Sequence, residues 1–147
     1  MRDFVSNTQA VHLGNVTVSG TTPATSAYVD LKGFNACTIM VVNNTVTDAG
    51  TASGYTITLQ ESVDTAGASA GTVATSDTVG GANTITVTSD SADNAIAGAI
   101  GYVGGERYVG ITVTGTTGSD ADISVIALLG KPHRAPTTFT GASVTRT

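Results

Sequence analysis

Residues 106–116, ERYVGITVTGT, decide the fold class because branched apolar side chains recur at every second position. Val109, Ile111 and Val113 fall on one side of an extended chain, and Tyr108 and Thr112 fall on the other. A period of two is typical of a β-strand with one buried face, whereas a helix repeats every 3.6 residues. The segment therefore predicts a strand in a sheet that buries one face.

Two further runs are apolar on both faces. In residues 121–130, ADISVIALLG, one face is apolar throughout, and Ile126 and Leu128 make the other face apolar too. Residues 36–42, ACTIMVV, have the same character. Strands of this kind are typical of the centre of a sheet, and we expect both to be buried on both sides.

The remaining strand patterns are shorter or weaker. Residues 54–62, GYTITLQES, alternate cleanly, and weaker alternation covers residues 10–18, 28–31, 71–75, 83–88 and 95–103. Loops are expected at 46–53 and 64–81, with a tight turn at Gly104-Gly105. These segments make eight or nine strands in all.

No window has the 3.6-residue period and the capping residues of a long helix, and only residues 95–100 could form a helical turn. Parallel βαβ folds are therefore excluded, and a sandwich, a jelly roll or a small barrel remains. We favour an antiparallel, all-β sandwich of the jelly-roll type, with about eight strands and extended terminal arms.

Composition favours one domain that works by assembly. The chain has 147 residues and a net charge of −5, and only 12% of its residues are charged, against about a quarter in typical soluble domains. A surface with so few charges repels neighbouring molecules only weakly, which favours association. The acidic balance opposes nucleic-acid binding, which needs clustered Lys and Arg.

Targeting signals are not evident. The sequence has no apolar run of signal-peptide length at its start and none approaching ~18 residues elsewhere, so we expect synthesis in a cytosol and no membrane partner. Cys37 is the single cysteine and cannot form an internal disulfide, so stability is expected to come from packing and assembly.

The C-terminal segment is chemically distinct. Residues 131–147 carry Lys131, Arg134 and Arg146 without an acid, so they are +3 while the rest of the chain is −8. Pro132 and Pro136 favour extended backbone there. We therefore divide the chain into an N-terminal arm (1–8), a β-sandwich domain (9–130) and an extended basic tail (131–147) that can reach a neighbouring subunit.

The segment 67–71, GASAG, matches the G-x-S-x-G nucleophile elbow around Ser69. An elbow needs a strand before it and a helix after it, and this match lies in a run of Ala, Gly, Ser and Thr with no helix following. His12 and His133 stand at opposite ends of the chain, which does not supply the three or four ligands of a zinc site. Cys37 lies in an apolar strand and is expected to pack in the core.

Acidic residues offer two further readings. Asp90, Asp93 and Asn94, or Asp120 with Asp122, could give oxygens to calcium, but neither segment has EF-hand spacing, and a role in capping turns is favoured. Carboxylates at Glu61, Asp64 and Glu106 do not form a specific glycosidase pair, and aromatic residues are few, at 5%. We expect no enzyme activity, cofactor, metal or small-molecule substrate.

Three patches together resemble the head-decoration, or cement, proteins of tailed bacteriophages: residues 25–42, 54–64 and 101–136. The matching positions are Asp30, Leu31, Gly33 and Asn35; Leu59 to Ser62 and Asp64; Arg107 and Tyr108; Leu128 to Gly130, Pro132, His133 and Pro136. The resemblance spans residues 10–136, and its force lies in the order of the patches. Where the family often has a basic residue after the Arg-Tyr pair, this chain has Gly110.

The resemblance implies a jelly-roll-like protein on the outer capsid surface of the virion, made in the bacterial cytoplasm. Its implied partners are the major capsid protein and two further copies in a homotrimer. The candidate capsid or oligomer contacts lie in the two arms: Arg2, Phe4, Lys131, His133, Arg134, Pro136 and Arg146.

Two alternatives remain at this point. A tail or adaptor component of the virion would share every motif named above. A β-sandwich that binds carbohydrate or a cell surface would be expected to expose aromatic side chains, of which the sequence offers few.

Overall fold

The computed structural model describes residues 5–134, and these form two antiparallel β-sheets packed face to face. The ten strands are β1 (Thr8–Ser19), β2 (Ala24–Thr25), β3 (Val29–Asp30), β4 (Phe34–Asp48), β5 (Tyr55–Ser62), β6 (Gly71–Thr72), β7 (Thr84–Val87), β8 (Ala95–Tyr102), β9 (Tyr108–Thr114) and β10 (Asp120–Pro132). The only helical elements in this part of the chain are two short 3-10 turns at Val5–Asn7 and Thr75–Asp77.

Strand order identifies the architecture. One sheet, called here the long sheet, has the order β1-β10-β4-β8, and the other, the short sheet, is built around β9 and β5. In the short sheet β2 and β3 both pair with β9, and β6 and β7 both pair with β5. Strands β2 and β3 thus form one interrupted edge strand, and β6 and β7 form another. The ten strands therefore occupy eight strand positions.

The pairing of these eight positions is nested. The first strand pairs with the last, β2 and β3 with β9, β4 with β8, and β5 with β6 and β7. Nested antiparallel pairing folded into two sheets is the topology of a jelly roll. The sequence-based prediction of an all-β antiparallel sandwich is therefore confirmed.

The core lies between the two sheets and is aliphatic. From the long sheet it takes alternate residues of β4 and β10, among them Ile39, Val41 and Ile123, all at most 1% exposed. From the short sheet it takes Ile57 and Ile111, which are fully buried. This alternation is the period of two read from the sequence, so most strands place the expected residues inside.

Two details of the prediction were wrong. The predicted loop at 46–53 begins too early, because β4 continues to Asp48 and Val46 is buried opposite Ala121 of β10. The central strands β4 and β10 are also not buried on both sides, because Ile126 and Leu128 are only half-buried on the outer face of the long sheet. The first strand, β1, starts at Thr8, and the last, β10, ends at Pro132.

Candidate docking surface at one end of the sandwich

Every lysine and arginine among residues 5–134 lies at one end of the sandwich. Lys32 follows β3, Arg107 precedes β9, and Lys131 and Arg134 lie at or just beyond the end of β10. We call this the basic end. It is also where β1 begins, since Thr8 pairs with Gly130, so the chain segments outside the described range attach to the same end.

Backbone hydrogen bonds between distant segments hold the basic end together. Leu31 donates its N–H to the carbonyl of Arg107 at 2.9 Å, and His133 donates to the carbonyl of Gly33 at 2.8 Å. The His133 ring Nε2 also lies 2.9 Å from Asn35 Oδ1. Residues of the first and third patches that carry the family resemblance thus meet at this one surface: Leu31, Gly33, Asn35, Arg107 and His133.

Arg107 is fixed by a two-point ion pair with Asp30. Its Nε donates to Asp30 Oδ1 at 2.8 Å and its Nη2 to Oδ2 at 2.6 Å, while the guanidinium carbon lies 5.0 Å from the centre of the Tyr108 ring. The hydrogen bond from Arg107 holds the pKa of the Asp30 carboxyl below its ordinary value. Parallel N–H···O bonds of this kind favour one fixed orientation. Arg107 is therefore chiefly a structural cation at the basic end.

Lys32, Lys131 and Arg134 are different, because their side chains are exposed and form no ion pair with any residue in 5–134. Cations that are not neutralised by their own chain remain available to carboxylates of another molecule. These three residues are the electrostatic part of the candidate docking surface.

Two adjoining clefts open beside these cations. The larger, of about 670 Å³, lies between residues 31–37 and 102–107, and the smaller, of about 440 Å³, lies between Gln9, Phe34 and residues 132–134. Lys32, Gly33, Phe34 and His133 line both. The surface thus combines grooves wide enough for a peptide segment with positive charge at their rim.

Tyr102 forms one wall of the larger cleft. Its hydroxyl donates to Glu61 Oε2 at 2.5 Å and accepts the Glu106 backbone N–H at 2.8 Å, and burial together with Glu61 raises its pKa. A Cβ on Gly104 would lie 2.5 Å from that hydroxyl, so the turn at Gly104 fits against the tyrosine only without a side chain. Glu61 is consequently occupied in holding the cleft wall.

The opposite end carries acids and, within the described residues, no cation. Its carboxylates are Asp48, Asp90, Asp93, Asp120 and Asp122. We call it the acidic end. Most of these groups have local structural roles: Asp90 accepts the N–H of Ala49 at 2.8 Å, Asp93 accepts that of Val46, and Asp122 accepts the amide of Asn44 at 3.0 Å.

The calcium alternative is not favoured by this arrangement, because the Asp90 and Asp93 carboxylates cap backbone groups of β4 and the loop after it. Throughout residues 5–134, no three His, Cys, Asp or Glu side chains are grouped closely enough to hold a metal ion. The same range contains no helix that is both long enough and apolar enough to cross a membrane.

The Ser69 motif is a structural loop. Asp64 accepts the backbone N–H groups of Ala66 and Ala68 at 3.0 Å and of Ser69 at 3.1 Å, which lowers the pKa of its carboxyl. Gly67 of the motif lies against the ring of Tyr28. Neither histidine is placed beside Ser69: His12 pairs with Ile126 on β1, and His133 bonds Asn35 at the basic end.

Of the seven predicted contact residues, Lys131, His133 and Arg134 lie at the basic end as described above. Arg2, Phe4, Pro136 and Arg146 lie outside the described residues. Sequence reasoning did not single out Lys32 as a contact. Its position just after the Asp-Leu pair of the family pattern was the available signal, but only the fold shows that it shares two clefts with His133.

Comparison with known proteins gives a likeness of fold. No family model matches the chain, and no curated protein matches it. Among solved structures, the chain is similar to the PBSX exported protein XepA, with a TM-score of 0.53 and 12% sequence identity. The match covers 94% of this chain and 42% of XepA, so the chain spans less than half the length of that protein. At this identity the likeness supports the jelly-roll fold alone.

Proposed function

We propose that this protein is a non-catalytic structural component of a tailed-phage virion, and that it docks through its basic end onto an acidic protein surface of the capsid. The observation that carries the proposal is the distribution of the cations in residues 5–134: all four lie at one end, beside the carboxylates of Asp30, Glu61 and Glu106, whereas the other end has five carboxylates and no cation. A protein charged in this way approaches a negative surface with one orientation, because the opposite end is repelled.

Two independent observations support the phage context. The ordered resemblance to decoration proteins comes from sequence, and residues of its first and third patches meet at the basic end. The fold is similar to that of XepA, an exported protein of phage PBSX. Jelly rolls also occur in many capsid and lectin domains, so the fold agrees with the proposal without deciding it.

The proposed mechanism is bridging. The partner is the major capsid protein, and the protein lies on the outer capsid surface as a homotrimer, so that three basic ends contact neighbouring capsid subunits at once. Each contact is weak by itself, but linked contacts raise the overall affinity by orders of magnitude. A tail or adaptor position would use the same surface, and only its location on the particle differs.

The carbohydrate-binding alternative lacks support in residues 5–134. Tyr55 and Tyr102 are buried, while Tyr28, Phe34 and Tyr108 are half-buried, so this range exposes no row of aromatic rings on which sugars could stack. We therefore keep the virion role as the proposal.

Co-sedimentation with particles of the encoding phage that lack this protein tests the role. Wild-type protein should bind heads in a fixed copy number, and Lys32→Glu should weaken binding at least about tenfold at low salt and less at high salt. The double variant Thr51→Glu/Thr117→Glu is the matched control, since it makes the same change of −2 in net charge at exposed positions of the acidic end.

Three outcomes would contradict capsid docking through the basic end. The protein does not bind particles, it binds only to tails, or its binding falls equally in both variants. Cryo-electron microscopy of the decorated particle then gives the position directly.

A further inference from the structure

The outer faces of the two sheets differ in chemistry. On the short sheet, the outward residues of β5, β7 and β9 are chiefly threonines: Thr56, Thr58, Thr84, Thr86, Thr112 and Thr114. On the long sheet, seven outward residues in adjoining rows are aliphatic: Ala10, Met40, Val42, Ile96, Ala99, Ile126 and Leu128. A jelly roll that worked as an isolated monomer would be expected to have polar outer faces on both sheets. The long sheet does not follow that rule.

These aliphatic residues form a continuous patch. The strand register places Leu128 beside Ala10 and Thr38, and Ile126 beside His12 and Met40, in adjoining rows across the sheet. The next row contains Val42 and Ile96 on β4 and β8, with Ser124 and Asn15 completing it on β10 and β1, and Ile96 is 65% exposed. We call this patch the aliphatic face. It accounts for the apolar residues on the outer side of β4 and β10, which remain half-exposed in the monomer.

The edge beside the aliphatic face is partly protected. Val79 donates its N–H to the carbonyl of Gly101 at 2.8 Å, and Val103 donates to the carbonyl of Asp77 at 2.8 Å, so a short segment closes the end of β8 nearest the basic end. Val79 itself is 67% exposed and lies over Gly101. It extends the aliphatic face by one more side chain.

We infer that the aliphatic face is the contact surface between copies of this chain; the inference rests on the homotrimer in the proposed function and assigns its interface. The lack of charge favours a second copy as the occupant. The rows through Leu128, Ile126 and Val42 contain no Lys, Arg, Asp or Glu, and His12 is their one titratable side chain, so the faces of neighbouring copies meet without repulsion when His12 is neutral. The capsid partner proposed for the basic end is instead an acidic surface, which gains nothing from an uncharged one.

The size of the patch agrees with an oligomer contact. Four strands spaced at ~4.8 Å and three rows spaced at ~6.8 Å give a planar area of roughly 400 Å², which includes the five positions that are not aliphatic: His12, Asn15, Thr38, Gly101 and Ser124. Stable interfaces bury roughly 800 Å² per partner. The aliphatic face therefore supplies about half of an interface, and Val79 and the polar residues flanking the patch are available for the rest.

The orientation needed for docking is compatible with this contact. The aliphatic face runs along the strands, between the basic end and the acidic end, so copies packed side by side can all present their basic ends in one direction. A surface used for self-contact is thus separate from the surface proposed for the capsid.

Sedimentation equilibrium tests the inference with two variants and a control. Wild-type protein at about 100 µM should have the mass of a trimer, three times 14.6 kDa, in the concentration range where micromolar association is measurable. Ala99→Arg places a long cation at an exposed position of the aliphatic face and should weaken association at least tenfold. Thr86→Arg, exposed on the other sheet, should associate like wild type.

Ile126→Lys is the second variant, and circular dichroism establishes that each variant remains folded. A wild-type mass of 14.6 kDa would overturn both this inference and the trimer. An oligomer that Ala99→Arg and Ile126→Lys leave intact would overturn the inference alone. Capsid docking is tested separately, by the co-sedimentation of Lys32→Glu.

Discussion

Asp30 and Arg107 are 77 residues apart in the chain and form the only ion pair between side chains in residues 5–134. The pair joins the last residue of β3 to the residue just before β9, and it lies beside the larger cleft. Both side chains are about half exposed, at 42% and 50%, so solvent screens much of their attraction. The pair therefore fixes the geometry of the basic end more than it stabilises the fold.

Asp30→Asn should accordingly lower the free energy of unfolding by less than about 1 kcal/mol at pH 7. The folded-state pKa of Asp30 is below its unfolded value, so its stabilising contribution is present above about pH 4 and is lost as the pH falls through the folded pKa. Urea unfolding of both proteins at pH 7 and pH 2.5 measures this. The difference should shrink towards zero in acid, and a difference that grows there would contradict the assignment.

The sequence was sufficient for the strands and their inward faces, because the period of two is a local property. The end of β4 was not predicted, because the polar residues Asn43 to Asp48 are typical of a loop. What makes them a strand is non-local: β10 pairs with them, and Asp93 accepts the N–H of Val46 from 47 residues away. No pattern within the segment reports either contact.

The candidate site was predicted in part for a similar reason. A run of basic residues such as Lys131 to Arg134 is visible in one dimension, so the sequence pointed to that segment. The contribution of Lys32 depends on β3, β4 and β10 ending at the same edge, which only the fold reveals. The aliphatic face could be predicted only in part. The pattern of β10 indicated that Ile126 is covered, but it did not indicate that nothing within the monomer covers it.

The loop after β5 depends on one carboxylate. Asp64 accepts three backbone N–H groups and also bonds Ser62, so Asp64→Ala should increase hydrogen exchange at Ala66, Ala68 and Ser69, on the order of tenfold at pH 7. Because these bonds lower the Asp64 pKa, the protection should persist above about pH 4 and disappear as the pH falls through the folded pKa. The ratio of exchange rates between variant and wild type therefore approaches one in acid.

Ser69→Ala is the control for that loop. It retains the backbone N–H that Asp64 accepts, so most of the protection should remain. Loss of protection as large as that in Asp64→Ala would show that the serine side chain, rather than the carboxylate, organises the segment.

Glycine is required at position 67 both by the adjacent Tyr28 ring and by the positive φ of the backbone. Its φ is +70°, and a Cβ would lie 2.3 Å from Cε2 of the Tyr28 ring. Gly67→Ala should therefore destabilise the protein by about 1–3 kcal/mol. Gly80→Ala is the matched control, since Gly80 has a φ of +86° with open space around it and carries only the backbone cost.

A double variant separates the two costs at Gly67. With Tyr28→Ala in the background, Gly67→Ala should cost no more than Gly80→Ala, as measured by thermal or urea unfolding. If Gly67→Ala lowers the free energy of unfolding equally with and without Tyr28, the steric explanation is wrong.

Tyr55 and Asn43 link the two sheets by a buried hydrogen bond. The Tyr55 hydroxyl donates to Asn43 Oδ1 at 2.9 Å, and the Asn43 amide donates to the carbonyl of Ala92 at 3.1 Å, with both side chains at most 1% exposed. Tyr55→Phe leaves the Asn43 oxygen without its partner in a dry environment, which should cost about 1–3 kcal/mol. Tyr108→Phe, at a half-buried position on the outer face, should change stability by less than about 0.5 kcal/mol. If the two variants unfold at the same urea concentration, the Asn43 oxygen must find another donor, and the bond between the sheets does not contribute as its burial predicts.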